Sequence, residues 1–137
     1  MKKHGILNSE ITKVLTDLGH TDLVCIADAG LPIPSDTKKI DLALSKGFPS
    51  FVDVLRLVLD DMWIEKIYLA EEIKSHNPAV LEEIKRLTPD ILIQWVTHEE
   101  FKKMSSKSKA IIRTGEMTPY ANILLQSNVH FSEDSEK

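Results

Sequence analysis

The sequence predicts an α/β fold in three layers (αβα), with a largely parallel or mixed sheet between two layers of helices. Two observations lead to that prediction. Short apolar segments typical of strands alternate along the chain with segments whose apolar residues recur at helical spacing. The strand segments are apolar on both faces, which is typical of a sheet that helices cover on each side.

The chain is predicted to fold as a single domain. Its 137 residues are close to the commonest domain size, and no repeat or linker divides the sequence. We assign residues 1–131 to this domain. The last segment, residues 132–137, is acidic and polar and is predicted to be a disordered tail.

The first elements are a helix and a strand. Apolar residues at helical spacing predict a short amphipathic helix over Ser9–Leu18, with Asn8 or Ser9 as its N-cap and Gly19 as its stop. A strand is predicted to follow at Leu23–Ala27. The next segment, Gly30–Pro34, contains two prolines and is therefore predicted to be a loop.

Five further strands and three further helices are predicted. The strands are expected at Ile40–Leu44, Lys66–Ala70, Ile91–Val96, Ala110–Ile112 and Ile123–Leu125. The helices are expected from Ser50 to about Met62, from Pro78 to Leu87 and from Thr97 through Met104. Thr97 and Glu100 have the spacing of a capping box, in which each side chain accepts a hydrogen bond from the other residue's backbone.

Composition excludes several classes of protein. The chain is 42% apolar and 28% charged with a net charge of −4, and it has no basic cluster, so we expect no nucleic-acid binding. No apolar stretch approaches a membrane span, and no signal peptide is visible at the start. The single cysteine, Cys25, lies within an apolar strand and is interpreted as a small buried hydrophobe. It has no disulfide partner in the chain, which fits a reducing compartment such as the cytoplasm.

The segment around the first strand offers a candidate acid–base pair. His20 follows Gly19 directly after the first helix, and Asp28 follows the strand. Histidine is the side chain whose ordinary pKa lies nearest neutrality, so a histidine and a carboxylate held together at one end of a sheet suit proton transfer. Each residue also has an ordinary alternative: His20 can cap the helix that it follows, and Asp28 can bond its own backbone in a turn.

Two later segments carry further candidates. His98 lies in the first turn of a predicted helix, where a neutral imidazole is favoured, and Lys102 projects from the same face one turn on. Tyr120 and Asn122 are two residues apart, so in an extended segment they face the same way. Tyrosine, asparagine and aspartate together supply the mixed donors and acceptors that sugar hydroxyls require. The alternatives are a solvated helix face for His98 and Lys102, and a turn with an edge strand for the second pair.

No cofactor is implied by the sequence. It contains no dinucleotide-binding, phosphate-binding or nucleophile-elbow motif. The five histidines do not show metal-ligand spacing with one another or with the cysteine, so no metal site is expected.

Several ordered motifs identify the chain as similar to the RbsD/FucU family of sugar mutarotases. They span nearly the whole sequence, at Lys3–Asn8, Leu18–Asp22, Asp28–Pro34, Ala70–Lys74, Thr97–Lys102, Ile112–Glu116 and Tyr120–Asn122. The resemblance implies a Rossmann-like fold, a cytoplasmic location and interconversion of the β-pyranose and β-furanose forms of D-ribose before its phosphorylation by ribokinase. It also implies a homo-oligomer, typically a decamer of two stacked pentameric rings, with sites near subunit contacts.

The resemblance also implies roles for individual residues. His20 matches the family's proton donor, and Lys102 matches a lysine close to the sugar. The positions that match sugar-binding residues are Asp28, His98, Tyr120 and Asn122. The fucose-specific branch of the family has a histidine in place of Gly30 and a glycine in place of Ala121, so the sequence favours ribose. The alternatives are L-fucose or a related sugar as substrate, and a sugar-binding or regulatory module without catalysis.

Overall fold

The computed structural model describes residues 1–131, which are built around one six-stranded sheet. The predicted tail at 132–137 lies outside the described residues. The helices are α1 Ser9–Asp17, α2 Phe51–Leu59, α3 Ile73–His76, α4 Pro78–Leu87 and α5 His98–Ser105. The strands are β1 Leu23–Ala27, β2 Lys39–Asp41, β3 Ile64–Ala70, β4 Leu92–Val96, β5 Ala110–Arg113 and β6 Ile123–Ser127.

The sheet is mixed, with strand order β2-β5-β1-β6-β3-β4. Strands β1 to β5 run in one direction, and β6 runs antiparallel between β1 and β3. We call the end at which β1 to β5 finish the carboxyl end of the sheet, and the end at which they begin the amino end. Because β6 is reversed, the chain enters β6 at the carboxyl end. That topology brings the segment before Ile123 beside the segment after Ala27.

Helices cover both faces of the sheet, as the sequence predicts. Helices α1 to α4 pack on one face over a core that includes Val24 and Ile26 of β1. Helix α5 packs on the other face, where Phe101 meets Cys25 and Ala27. The three-layer arrangement follows from strands whose side chains are buried alternately on the two faces.

Cys25 is completely buried in the smaller of these two cores. Burial raises the pKa of its thiol, and the charge of Asp28 acts in the same direction, so the thiol stays protonated. The interpretation of Cys25 as a small buried hydrophobe is confirmed.

Local sequence signals account for most element boundaries. The side chain of Asn8 caps α1, that of Ser50 caps α2, and the capping box of Thr97 and Glu100 opens α5. Helix α4 begins at Pro78, whose missing N–H costs nothing in the first turn, and ends at Leu87 as predicted. Helix α2 ends at Leu59, three residues before the predicted end.

Two expectations about the elements were wrong, and one short helix was missed. The strand predicted at Ile40–Leu44 leaves the sheet after Asp41, because the Asp41 carboxylate accepts the N–H of Ala43 and turns the chain. Strand β4 is not buried on both faces; it lies at the edge of the sheet, where Leu92 is 67% exposed. Helix α3 was not predicted, because four residues are too few to show a helical period.

Candidate functional site

Asp28 and Asn122 are joined at the carboxyl end of the sheet. The N–H of Asp28 donates to Asn122 Oδ1 over 2.8 Å, and Asn122 Nδ2 donates to Asp28 Oδ2 over 3.2 Å. The other carboxylate oxygen of Asp28 accepts the N–H of Gly30 at 2.9 Å. Asp28 directly follows β1 and Asn122 directly precedes the antiparallel strand β6, so the register of β1 and β6 brings them together. The buried amide of Asn122 thereby fixes the orientation of the carboxylate.

The environment of Asp28 changes its acidity. Burial raises the pKa of this carboxyl above its usual range, while the hydrogen bonds from Gly30, Asn122 and Leu31 and the nearby His98 oppose the shift. The effect of burial is the larger one. A partly desolvated carboxyl group in a polar cluster is typical of a functional site.

Tyr120 has an unusual backbone conformation. Its φ is +56°, in the left-handed region that bulky side chains rarely adopt, and its carbonyl accepts the N–H of Asn122 at 2.9 Å. The expectation that Tyr120 and Asn122 face the same way in an extended segment was therefore wrong, because a tight turn separates them. The turn directs the Tyr120 ring edge-on to the His98 ring, with 4.9 Å between the ring centroids. Strain of this kind persists only where surrounding contacts hold it, and such residues cluster at functional sites.

His98 is the first residue of α5 and borders the same region. Its N–H donates to both carboxylate oxygens of Glu72, at 3.0 and 3.2 Å. Its ring atom Nδ1 is buried and has no hydrogen-bond partner among the described residues. Buried polar atoms are nearly always paired in folded proteins, so an unpaired Nδ1 beside a cavity marks a position where a ligand can bind.

These residues enclose a cavity of about 320 Å³, which we call the carboxyl-end cavity. Its lining consists of Asp28, Gly30, Leu31, Pro32, His98, Pro119 and Tyr120. A larger adjoining cavity of about 600 Å³ shares Asp28, Gly30 and Pro119 with it and extends toward Arg113. The guanidinium group of Arg113 is already bonded to the Asp41 carboxylate and to the Ala29 carbonyl. The smaller cavity has the size of a site for a small ligand, and its polar groups converge on it.

Lys102 lies one turn after His98 on α5, as predicted. Its ammonium group pairs with Glu99 Oε1 at 2.8 Å, and about a third of its side chain is exposed. It does not line the carboxyl-end cavity. In a single chain Lys102 is therefore near the cavity only through the helix that it shares with His98.

His20 lies at the opposite end of the sheet. It precedes β1, whereas Asp28 follows it, and the five residues of β1 span roughly 16 Å. The expectation that His20 and Asp28 form a pair at one end of the sheet was therefore wrong for a single chain. At the amino end, His20 Nε2 lies 2.5 Å from Glu65 Oε2, with 51% and 37% of the two side chains exposed.

Sequence reasoning missed Glu65 as the partner of His20 and Glu72 as the partner of His98. Glu65 lies at an irregularity in the pairing of β3 with β6, where the register shifts between Ile64 and Lys66. Such a bulge re-aims a side chain. No local pattern reveals this contact, because it depends on the pairing of two strands that are distant in sequence. Glu72 lies within the Ala70–Lys74 motif, which carries the family resemblance without implying a role for this residue.

Metal-ligand clusters and membrane-spanning helices are both absent from the described part of the chain. Across residues 1–131, no three histidine, cysteine, aspartate or glutamate side chains come together as metal ligands. In the same residues, no helix is both long and apolar enough to cross a bilayer.

Comparison with known sequences gives consistent matches. A model of the RbsD / FucU transport protein family matches residues 1–130. A D-ribose pyranase of Geobacillus thermodenitrificans is 58% identical over 132 residues, which cover 96% of this chain and all of the relative. A D-ribose pyranase of Limosilactobacillus reuteri is 56% identical over 131 residues, with the same coverage.

Comparison with solved structures gives the same grouping. Bacillus subtilis RbsD, solved in complex with D-ribose, has a TM-score of 0.93 and 50% identity, and the match covers 96% of this chain and all of that one. A fucose mutarotase from Streptococcus pneumoniae, solved with L-fucose, has a TM-score of 0.82 and 25% identity over 95% of this chain and all of that one. The ribose complex is thus the more similar of these two structures in both fold and sequence.

Proposed function

The chain belongs to the RbsD/FucU family, and from that premise we propose that it is a D-ribose pyranase. This enzyme is an isomerase that interconverts the β-pyranose and β-furanose forms of D-ribose. The observation that supports this function best is the carboxyl-end cavity, where the unpaired Nδ1 of His98, the phenol of Tyr120 and the carboxylate of Asp28 meet. These groups offer the mixed donors and acceptors that sugar hydroxyls need.

Ring exchange requires only proton movements. The anomeric hydroxyl loses a proton, the ring oxygen gains one, and the open aldehyde then recloses through a different hydroxyl. No redox step and no covalent intermediate with the protein is needed. Positioned acid–base groups typically accelerate such steps by roughly 10²–10⁴-fold.

We assign the binding of ribose to the carboxyl end of the sheet. Asp28, His98 and Tyr120 line the cavity, and Asn122 holds the carboxylate of Asp28. The second N–H of the Asn122 amide has no partner among residues 1–131 and can donate to a ligand. Lys102 is assigned to the outer side of the site, near His98. A neutral imidazole can accept a hydrogen bond from a sugar hydroxyl or donate one to it. The helix N-terminus at which His98 lies favours the neutral form over the cation.

We assign to His20 the role of proton donor: it protonates the ring oxygen of the sugar. The His20 that does so belongs to a second copy of the chain. Within one chain, His20 and the cavity lie at opposite ends of β1, which is about 16 Å long. His20 therefore cannot reach a sugar bound in the cavity of its own chain. Both ends of the sheet expose large apolar side chains that a second copy can cover. Trp63 lies at the amino end, and Leu44 and Met117 lie at the carboxyl end.

The site therefore requires a homo-oligomer. Family resemblance suggests a decamer of two pentameric rings, and a cyclic assembly is the natural product of contacts between two different ends of the same molecule. We place the protein in the cytoplasm, where ribose is phosphorylated after uptake.

Exchange spectroscopy tests the proposed function. NMR exchange between the pyranose and furanose anomeric signals of D-ribose is measured with and without protein, and L-fucose is run beside it. We expect fast exchange for ribose, slow exchange for fucose and a loss of about 10²–10⁴-fold in His20→Ala. Acceleration for fucose alone would indicate the other branch of the family. Binding of ribose without acceleration would indicate a sugar-binding module instead.

A further inference from the structure

The segment from Glu72 to Asn77 contacts the backbone of His98 and the ring of Tyr120, two residues of the proposed ribose site. It begins in the Ala70–Lys74 motif and contains the one-turn helix α3, and none of its residues has a role in the proposed mechanism. At its start, the Glu72 carboxylate accepts the first N–H of α5 and so fixes the backbone of His98. A carboxylate at a helix N-terminus also interacts favourably with the helix dipole.

Asn77, at the other end of the segment, is buried and uses its whole side-chain amide. Its oxygen Oδ1 accepts the N–H of Val80 and caps α4. Its two amide hydrogens are donated to Thr118 Oγ1 at 2.9 Å and to the Pro119 carbonyl at 2.8 Å. Capping requires only the oxygen, and aspartate or serine would cap equally well. The amide nitrogen therefore has a separate task, which is to hold the loop directly before Tyr120.

The conformation of Tyr120 requires such a restraint. A positive φ at a tyrosine is unfavourable, and surrounding contacts must fix it for the conformation to persist. The Tyr120 ring lies between two imidazoles, 4.9 Å from the His98 ring centroid and 5.2 Å from that of His76 in α3. The same short segment thus supports His98 through Glu72 and Tyr120 through Asn77 and His76.

We propose that Asn77 is a positioning residue for ribose binding, which sets the place of the Tyr120 ring through its bonds to Thr118 and Pro119. The proposal rests on the proposed function, because it takes Tyr120 as a sugar-binding residue. Asn77 does not touch the sugar. Its effect is on the affinity for ribose rather than on proton transfer, which His20 is assigned to perform.

The substitution Asn77→Asp separates the two tasks of this side chain. Aspartate keeps an oxygen to cap α4 but has no N–H to donate to Thr118 or Pro119. Asn8→Asp is the matched control, because Asn8 caps α1 through its oxygen and donates no side-chain hydrogen bond among the described residues. A second variant, Asn77→Ser, also keeps a capping oxygen and serves if the aspartate prevents folding.

Steady-state ribose exchange gives the first readout. We expect Asn77→Asp to raise KM for ribose about tenfold with kcat within about twofold of wild type, since two hydrogen bonds that hold a binding residue are lost. Asn8→Asp should leave both constants unchanged. Equal KM values for the two variants would overturn the proposal and leave Asn77 as a helix cap only.

Histidine NMR signals give a second readout that does not depend on activity. The chain has five histidines, and only His76 and His98 lie against the Tyr120 ring among the described contacts. We expect Asn77→Asp to shift the ring signals of these two histidines and Asn8→Asp to shift neither. If wild type does not accelerate ribose exchange, the proposed function fails, and these signals still decide whether Asn77 positions Tyr120. Unchanged signals in Asn77→Asp would overturn the proposal.

Discussion

The carboxyl end of the sheet holds its polar side chains in a linked network, whereas the amino end presents His20 and Glu65 as an exposed pair. At the carboxyl end, Asp28 and Asn122 bond each other twice, and the Tyr120 ring packs against His98. At the amino end, His20 has one side-chain partner in the described chain, and about half of its side chain is in water.

This difference shows which half of the proposed site is complete in one chain. Binding residues must be held in place before the ligand arrives, and the carboxyl end meets that condition through buried and mutually bonded groups. His20 is bonded to Glu65, but a proton donor that stays half exposed is not shielded from water. The amino end therefore needs a second surface to complete it, which is the physical reason for assigning the two ends to different copies.

The largest expected effect comes from substitutions that inactivate one end of the sheet at a time. His20→Ala and Asn122→Ala should each reduce ribose exchange by about 10² or more, because one removes the proton donor and the other leaves Asp28 Oδ2 without its amide partner. If subunits are mixed after reversible dissociation, about a quarter of the sites should combine an intact His20 with an intact Asn122. The measurement is NMR exchange on the mixture, in comparison with each variant alone.

Failure of this mixture to recover activity would contradict the assignment to two copies. The control is a mixture of His20→Ala with Glu65→Ala, whose substitutions both lie at the amino end. Every site in that mixture carries a change at this end, so activity should stay at or below the level of Glu65→Ala alone. Native mass spectrometry of each mixture verifies that the subunits have exchanged.

The second effect concerns how tightly each end is packed. Gly115 precedes the Tyr120 loop, and a Cβ atom there would lie 2.5 Å from the Phe48 carbonyl oxygen and 2.6 Å from that of Ser45. Backbone atoms cannot yield easily, so Gly115→Ala should lower the free energy of unfolding by roughly 1–3 kcal/mol. Urea denaturation measures this change.

Gly19 gives the matching measurement at the amino end. A Cβ atom there meets only Asp22 Oδ2 at 3.6 Å, which is an ordinary contact, so Gly19→Ala should change the unfolding free energy by less than about 0.5 kcal/mol. Equal losses in the two variants would show that the two ends are packed alike and would remove the contrast between them.

Sequence patterns predicted the elements whose signals are local. Helix α4, with a proline at its start and a regular apolar face, was predicted with the bounds that the structure has, and so was β1. Patterns failed where a single side chain redirects the chain, as Asp41 does when it accepts the Ala43 N–H and ends β2 early. That bond requires no periodicity, so no periodicity reveals it.

For the site, the sequence identified residue types but not their distances. Asp28 and Asn122 are 94 positions apart, and their contact depends on the reversed strand β6, which no local pattern specifies. His20 and Glu65 are 45 positions apart and meet through a bulge in β3. Within one chain, the placement of His20 beside Asp28 was wrong for a related reason, since two residues at opposite ends of one strand are close in sequence but separated in space.

A smaller effect is expected at the His20–Glu65 pair. Glu65→Gln keeps a hydrogen-bond acceptor for His20 but removes the charge, and exposed ion pairs contribute only about 0.2–1 kcal/mol. If the pair stays as exposed in the assembly as it is in one chain, kcat for ribose should fall by less than about fivefold with KM unchanged. The matched control is Glu10→Gln, which breaks the exposed pair with Lys38 and should leave both constants unchanged.

A loss of a hundredfold or more in Glu65→Gln would contradict this expectation. It would mean that the pair is desolvated in the working assembly, since removal of one partner from a buried pair is far more damaging than removal from an exposed one. The result would then sharpen the comparison, because it would show that a second copy of the chain buries the amino end as deeply as the carboxyl end is buried in one chain.

The smallest effect is a pH dependence of stability at Asp28. Burial raises the pKa of this carboxyl in the folded protein. Its contribution to stability is therefore greatest below the unfolded pKa of about 4, where it is protonated in both states, and is lost as pH rises through the folded pKa. Asp28→Asn removes this dependence, so the variant should gain stability relative to wild type between pH 4 and pH 7 while its ribose exchange falls. Urea denaturation at the two pH values measures the difference.

Asp41 provides a control of opposite sign at the same end of the sheet. Burial acts to raise its pKa, but the Ala43 N–H and Arg113 outweigh that effect and hold the pKa below its usual range. Its contribution to stability is therefore present above the unfolded pKa and is lost as pH falls through the folded pKa, so Asp41→Asn should lose stability relative to wild type as pH rises from about 3 to about 5, with little further change up to pH 7. Parallel changes in the two variants would mean that Asp28 is ionised as easily as a surface carboxylate. Opposite changes would mean that the carboxyl group of Asp28 is desolvated in the folded protein and lowers its stability near neutral pH. A group that lowers stability is not needed for folding, so this result would support a role for Asp28 in ligand binding.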